Sequence, residues 1–524
     1  MDKIAKTDQV LARGLRQLSY LMLFMKSPRR WRIHSPFPGV VRSLLLGLLI
    51  LFGGLLIHAK PPYFGNGMRN GWADQDSVVI WTRTTRFEEM NQGGHAFLNV
   101  PASLEGVIRK EGPASRYVAD QLPQGAMLDE MLGACPGFPG EVRLRCYPID
   151  EPEEKIETPW RETHADTDYA VQFKLDGLKA GISYGVELEA RQIGEQSHTS
   201  AFKGAFKTAH APEHGGPLRF CVTTCHDFLR RDDGLEGHLI YQPMQLMHPD
   251  FMVHAGDIEY YDKPKPWAWT VELMRFKWAR LFSMPRNRTF YSQHTTYFIK
   301  DDHDTLKNDC WPGQEYGAVT FEEGVHLFNQ EQFPTRDPRY HSIRWGQDVE
   351  IWLLEGRDYR SSNRMEDGPE KSILGSTQKA WLQSSLRASS ATFKLVFTPT
   401  PVVGPDRPNK KDNHANEVFS HEGKELRTLF SSVDGTILFC GDRHWQYASE
   451  DPTTGLWEFG CGPGSARHQL GWKEGDQRPQ HRFLRVAGGY LSGDAWRDEL
   501  GQPRLVLRHR DVYGEPVSEF AFPR

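Results

Sequence analysis

Six short apolar runs between residues 218 and 440 constrain this chain more than any other feature. They fall at 218–224, 251–254, 296–300, 349–354, 393–398 and 436–440. Helix-like spacing of apolar residues lies between them, around 236–248, 267–282, 321–332 and 376–389. Strands that alternate with helices predict an α/β fold. In open sheets of that kind, ligands bind beyond the carboxyl ends of the strands.

Four of these strand ends carry residues that ligate metals. The first run is followed by Cys225-His226-Asp227. The second, inside DFMVHAGDIEYYD (250–262), leads into Gly256-Asp257 and then Tyr260. The third is followed by Asp301-Asp302-His303-Asp304, with Asn308 four residues on. The run at 436–440 is followed by Gly441-Asp442-Arg443-His444. Taken singly, a Gly-Asp at a strand end is turn or cap chemistry. Taken together, four strand ends bearing oxygen, nitrogen and sulfur donors point to a metal centre.

At 524 residues the chain is too long for one hydrophobic core, so more than one domain is expected. Residues 70–210 read as an all-β module, a β-sandwich of immunoglobulin or fibronectin type. Its first strand is DSVVIWTR (76–83). A Leu178-x-x-Gly181-x-x-Tyr184 turn there has the spacing of a tyrosine corner. Residues 90–160 within it read as an irregular Gly/Pro-rich insertion. HAPEHGGP (210–217) is a linker by composition, which leaves 217–524 as a separate α/β domain. The tail from 482 onward returns to strands.

Charge is unevenly spread. The first 60 residues hold ten Lys and Arg against two Asp, and the remainder carries a net −13. A mildly acidic body excludes a specific nucleic-acid partner, which would need a basic face, and suits a protein that holds cations. The basic stretch precedes SLLLGLLILFGGLLI (43–57), a signal h-region or membrane anchor. Its flanking charge predicts that the body is exported to the cell envelope, in the periplasm or on the outer face of the inner membrane. Ser27-Pro28-Arg29-Arg30-Trp31 is twin-arginine-like, with a proline out of place. Of seven cysteines, Cys135 and Cys146 flank a Pro/Gly-rich loop and are candidates for a disulfide in an oxidising compartment.

The order of the motifs resembles the calcineurin-like metallophosphoesterases, and among them the PhoD-like (alkaline phosphatase D) family. The likeness rests on Cys225 in the first block, Gly256-Asp257-x-x-Tyr260 in the second, Asp301-Asp302-His303-Asp304 with Asn308 in the third, and Gly441-Asp442-x-His444 in the last. DSVVIWTR and YHSIRWGQDVEIWLLEGRDYRS (340–361) extend it over about residues 70 to 520. The chain departs from the family in having Asp304 for the usual Glu and Glu355-Gly356-Arg357 for Asp-Thr-Arg.

The resemblance implies an α/β sandwich preceded by the β-sandwich, hydrolysing phosphate esters with a dinuclear metal-bound nucleophile. It implies that Cys225, Asp257, Tyr260 and His444 hold a ferric ion, because thiolate and phenolate donors fit a highly charged transition metal. It implies that Asp257, Asn308 and Asp442 hold Ca²⁺ or another divalent ion through oxygen donors, with Asp302 a rival ligand. His303 would assist the leaving group, and Arg357 and Arg443 would contact phosphate unless they are structural ion pairs. The loop at 400–414, with Lys410, Lys411 and His414, guides an anionic substrate or is a plain solvated loop. Alternative readings are a phospholipase D-like diesterase acting on lipid head groups and a non-catalytic metal-binding envelope protein. The chain has no P-loop, no Rossmann fingerprint and no Gly-x-Ser-x-Gly elbow.

Overall fold

A computed structural model describes residues 60–523. The apolar run at 43–57 and the twin-arginine-like stretch lie outside them. Among the described residues, no helix is long and apolar enough to cross a membrane.

The first strands are β1 (Met68–Gly71), β2 (Ser77–Arg83), β3 (Gly140–Pro148), β4 (Ala170–Asp176), β5 (Ser183–Arg191) and β6 (Ser200–Lys207). They pair antiparallel in two sheets, β1-β2-β4 and β3-β5-β6, with two short strands added to β3. Ile80, Leu144, Val186 and Phe206 share one core. Tyr184 Oη accepts the Lys179 N–H at 2.8 Å, the bond that a tyrosine corner makes.

The stretch at 90–160 is less irregular than expected. It contains β3, in which Val142, Leu144 and Cys146 are buried while Arg143 and Arg145 alternate outward. That period of two is a strand signal which the flanking glycines and prolines obscured. The helix Leu104–Glu111 buries Ile108 in the large core that also takes Tyr117 and Trp269. Cys135 lies in that core and Cys146 in the core of the first sheets, so the predicted disulfide is not formed. All seven cysteines are buried free thiols.

Two larger sheets follow. One is built from β7 (Leu218–Thr223), β8 (Phe251–Ala255) and β9 (Thr296–Ile299). The other contains β10 (His341–Trp345), β11 (Val349–Leu353), β12 (Phe393–Thr398), β13 (Thr436–Cys440), β14 (Gln446–Glu450), β15 (Trp457–Cys461) and β16 (His481–Arg485). The tail adds β17 (Tyr490–Arg497), β18 (Pro503–Arg510) and β19 (Pro516–Pro523) to the first sheet. The orders are β9-β8-β7-β17-β18-β19 and β10-β11-β12-β13-β15-β14-β16. β7 to β9 run parallel, as do β11, β12, β13 and β15. Phe220 and Val253 from one sheet and Phe397 and Phe439 from the other belong to one buried cluster. The six strands marked in the sequence all form, each within one residue of the expected ends.

Two of the helices begin later than their apolar spacing suggests. The helix near 236 begins only at Tyr241, after Gly237 at a φ of 122°. The next begins at Val271, where Thr270 caps it by accepting the Leu273 N–H.

Candidate metal centre

The strand ends converge as the pattern required. Cys225 follows β7, Asp257 follows β8 and Asp442 follows β13, and their φ values are 56°, 55° and 57°. Left-handed backbone in a non-glycine residue costs on the order of 1–3 kcal/mol and persists where surrounding structure imposes it. Here neighbouring strand ends lock together. Gly256 C=O accepts from Cys225 N–H at 3.2 Å and from Thr224 Oγ1 at 2.8 Å, and Asp257 C=O accepts from His226 N–H at 2.8 Å. A Cβ at position 441 would stand 2.0 Å from the Ala255 carbonyl oxygen, so only glycine lets β13 approach β8 there.

Three donors from different strand ends meet in one place. Single ligand atoms of Cys225, Asp257 and His444 all lie within 4.8 Å of one another. Tyr260 Oη donates to Asp257 Oδ2 at 2.8 Å and stands 3.0 Å from His444 Nε2. Cys225 Sγ is 3.5 Å from the same Asp257 oxygen. Burial, then the neighbouring Asp257 charge, pushes the Cys225 thiol and the Tyr260 phenol well above their ordinary ranges. Burial raises Asp257 to about 6 and Asp442 to about 7. Burial pushes the His444 imidazolium far down. Asp257 Oδ1 is buried with no hydrogen-bond partner. Donors that are unfavourable as bare anions, beside an unsatisfied carboxylate oxygen, fit a cation that would draw off their protons.

A second group lies alongside: Asp257, Asp301 and Asp442, again within 4.8 Å. Asp301 was not foreseen as a member. Its Oδ1 also binds the buried Arg357 Nε at 2.5 Å. The Asp301-Asp302 doublet at the end of β9 was the available signal, but a sequence does not tell which of the pair faces inward. Asn308 is exposed on the cavity rim, and its N–H donates to Asp262 Oδ2 at 3.0 Å. Asp302 lies within 4.8 Å of Asp257 and His303. Its Oδ1 accepts the His303 N–H at 2.9 Å and its Oδ2 the Asp309 N–H at 2.5 Å.

A cavity of about 300 Å³ opens onto Tyr260, Asp442 and His444. His303 lines it, with Nδ1 2.5 Å from Asp262 Oδ1. Burial alone would lower the His303 pKa, but Asp262, Asp302 and Asp257 outweigh it and raise it to about 10. Arg443 lies elsewhere: it is fully buried, 3.1 Å from Asp406 and in contact with Asp442. Arg357 is likewise a buried partner of Asp301 and Asp412. Of the loop residues, Lys410 reaches the cavity, Lys411 is exposed, and His414 is buried 2.9 Å from Glu422.

His468 is a further component that was not foreseen. Its ring lies 4.2 Å from that of His444 between centroids, tilted by 49°, and its Nδ1 is 3.0 Å from the Cys225 carbonyl oxygen. It follows no predicted strand, so nothing in the local sequence marked it.

The model of the PhoD-like phosphatases matches residues 220–485. A solved structure of PhoD superposes with a TM-score of 0.64 at 16% identity, covering 89% of this chain and 90% of that one. Purple acid phosphatase PPD1 from yellow lupin (Lupinus luteus) seeds gives 0.58 at 12% identity, covering 89% and 75%. Both share the mixed α/β fold with several sheets. No curated protein sequence matches. The converging strand ends, the buried donor cluster and the family match place this chain in the PhoD-like phosphatase family.

Proposed function

We propose that the chain is an exported phosphate ester hydrolase with a two-metal centre. The observation that carries this is Asp257, which belongs to both donor groups, with Oδ2 facing Cys225 and Tyr260 and Oδ1 buried without a partner. Cys225, Asp257, Tyr260 and His444 would hold the first ion, for which Fe³⁺ suits the donors. Asp257, Asp301 and Asp442 would hold the second, with Asn308 on the cavity rim as a further oxygen donor, and Ca²⁺ or another hard divalent ion suits those oxygens. When bound, the pair polarises the phosphoryl oxygens and meets the charge that develops on them.

The protein's own residues do the rest. Asp262 holds His303 protonated and oriented toward the cavity, from where it delivers a proton to the departing ester oxygen. Asp302 positions His303 by accepting its backbone N–H. Arg443 and Asp406 hold Asp442 from behind. Water adds its oxygen to phosphorus as the phosphorus–oxygen bond to the leaving group breaks. Export rests on the basic N-terminus and the apolar run at 43–57.

The test is metal content and visible absorption of protein matured in its native compartment, followed by ester assays. Stoichiometric iron with a broad charge-transfer band, lost in Tyr260→Phe, supports the centre. Folded protein that takes up no transition metal overturns it. Release of inorganic phosphate from a simple monoester separates a phosphomonoesterase from a diesterase.

A further inference from the structure

The cavity floor is accounted for by the ester-hydrolysing site, but its rim is not. Arg230, Lys263, Arg407 and Lys410 line the cavity against two acids, Asp309 and Asp442. These cations come from three segments, following β7, β8 and β12. The body that carries them is net acidic, so their gathering here is local.

Two of the four are neutralised nearby. Arg230 has Asp227 at 3.5 Å, and Lys410 has Asp309 at 2.7 Å and Asp412 at 3.8 Å. The other two are less so. Lys263 has no ion-pair partner among the described residues, and its ammonium lies 5.8 Å from the centroid of the Tyr260 ring. Arg407 has only its neighbour Asp406 at 3.6 Å. That carboxylate already serves Arg443 at 3.1 Å and the Asn413 amide at 2.8 Å. Arg407 Nε is buried with no hydrogen-bond partner, and the guanidinium is held 5.5 Å from the Trp445 ring. A buried guanidinium nitrogen that makes no hydrogen bond, and whose nearest carboxylate at 3.6 Å is shared with Arg443, is left incompletely satisfied, and an anion would complete it.

We propose that the substrate carries a second phosphate-type anionic group beyond the scissile ester, and that Lys263 and Arg407 bind it. The proposal rests on the ester-hydrolase reading and narrows it to small, doubly anionic phosphorylated compounds, for which a cavity of about 300 Å³ has room. The second group is bound and not cleaved, so the chemistry at the floor is unchanged. Lys263 and Arg407 are specificity-determining residues in this scheme.

The experiment compares calorimetric Kd values of propane-1,3-bisphosphonate and propylphosphonate on the metal-loaded full chain. The wild type is expected to bind the bisphosphonate about tenfold more tightly. In Lys263→Ala and Arg407→Ala that ratio falls towards one, and in Arg407→Lys it is partly restored. Equal affinities in the wild type, or a ratio unmoved by both alanine variants, overturn the proposal. Turnover of p-nitrophenyl phosphate, measured on the same preparations, tests the hydrolase reading separately, since the binding ratio does not depend on it.

Discussion

Tyr260 Oη and His444 Nε2 lie 3.0 Å apart, although 184 residues separate them in the chain. One follows β8 in the first large sheet and the other follows β13 in the second. Their meeting fixes how the two sheets present their carboxyl ends. The same phenol donates to Asp257 Oδ2 at 2.8 Å, so a single hydroxyl ties three proposed ligands together.

Tyr260→Phe removes that hydroxyl and leaves the ring against His303, 4.3 Å away between centroids. Metal affinity or turnover should fall by about 10–100-fold, the usual cost of damaging a metal site's supporting contacts. Iron titration and steady-state kinetics of the variant check this. An unchanged affinity would remove Tyr260 from the ligand set.

Asp262→Asn weakens the contact that holds His303 protonated. Proton delivery matters most where the leaving group is a poor one. Turnover of an alkyl phosphate should drop by about 10²-fold, and that of p-nitrophenyl phosphate much less, because nitrophenolate leaves without help. Equal losses on the two substrates would show that Asp262 acts on folding or metal binding and not through His303.

Glu458 is fully buried beneath the loop that carries Asp406, Arg407 and Lys410. Its carboxylate accepts the N–H groups of Val402, Val403 and Gly404 at 2.6, 2.9 and 2.8 Å, and the Tyr447 hydroxyl at 2.8 Å. Glu458→Ala leaves three buried N–H groups without an acceptor, while the Tyr447 hydroxyl keeps Cys440 Sγ at 2.9 Å. The expected loss is at least about 3 kcal/mol by denaturant unfolding. A loss below about 1 kcal/mol would mean that the loop repacks around the gap.

Glu422 sets an acid limit on stability. Burial raises its pKa, but hydrogen bonds from His414, Ser372 and the Ile373 N–H outweigh that and bring it from 4.5 to about 2. A carboxylate with a depressed folded pKa stabilises above its unfolded pKa and loses that contribution as pH falls through the folded value. Stability should therefore decline between about pH 4.5 and pH 2, with Glu422 contributing on the order of 3 kcal/mol. In Glu422→Gln the protein should be less stable at neutral pH and show a shallower decline over that range. Parallel pH–stability curves for variant and wild type would refute the assignment.

The α/β strands were legible because runs such as 393–398 and 436–440 are apolar almost throughout, as strands buried on both faces must be. Cys225, Asp257, Tyr260, Asp442 and His444 were legible because each follows such a strand within a few residues. The strand β3 was equally written in its alternation, but its surroundings read as loop.

What the sequence determined is local: which segments are strands, where they end, and which ligand types stand at those ends. Tertiary structure alone decided the rest. It buried Asp301 beside Asp257 and left Asn308 on the rim. It turned Arg443 and Arg357 into buried partners of carboxylates and brought His468 onto His444. The physical reason is that side-chain direction after a strand end depends on a few backbone dihedrals and on what packs against them. Those partners lie tens to hundreds of residues away, so no local pattern encodes them.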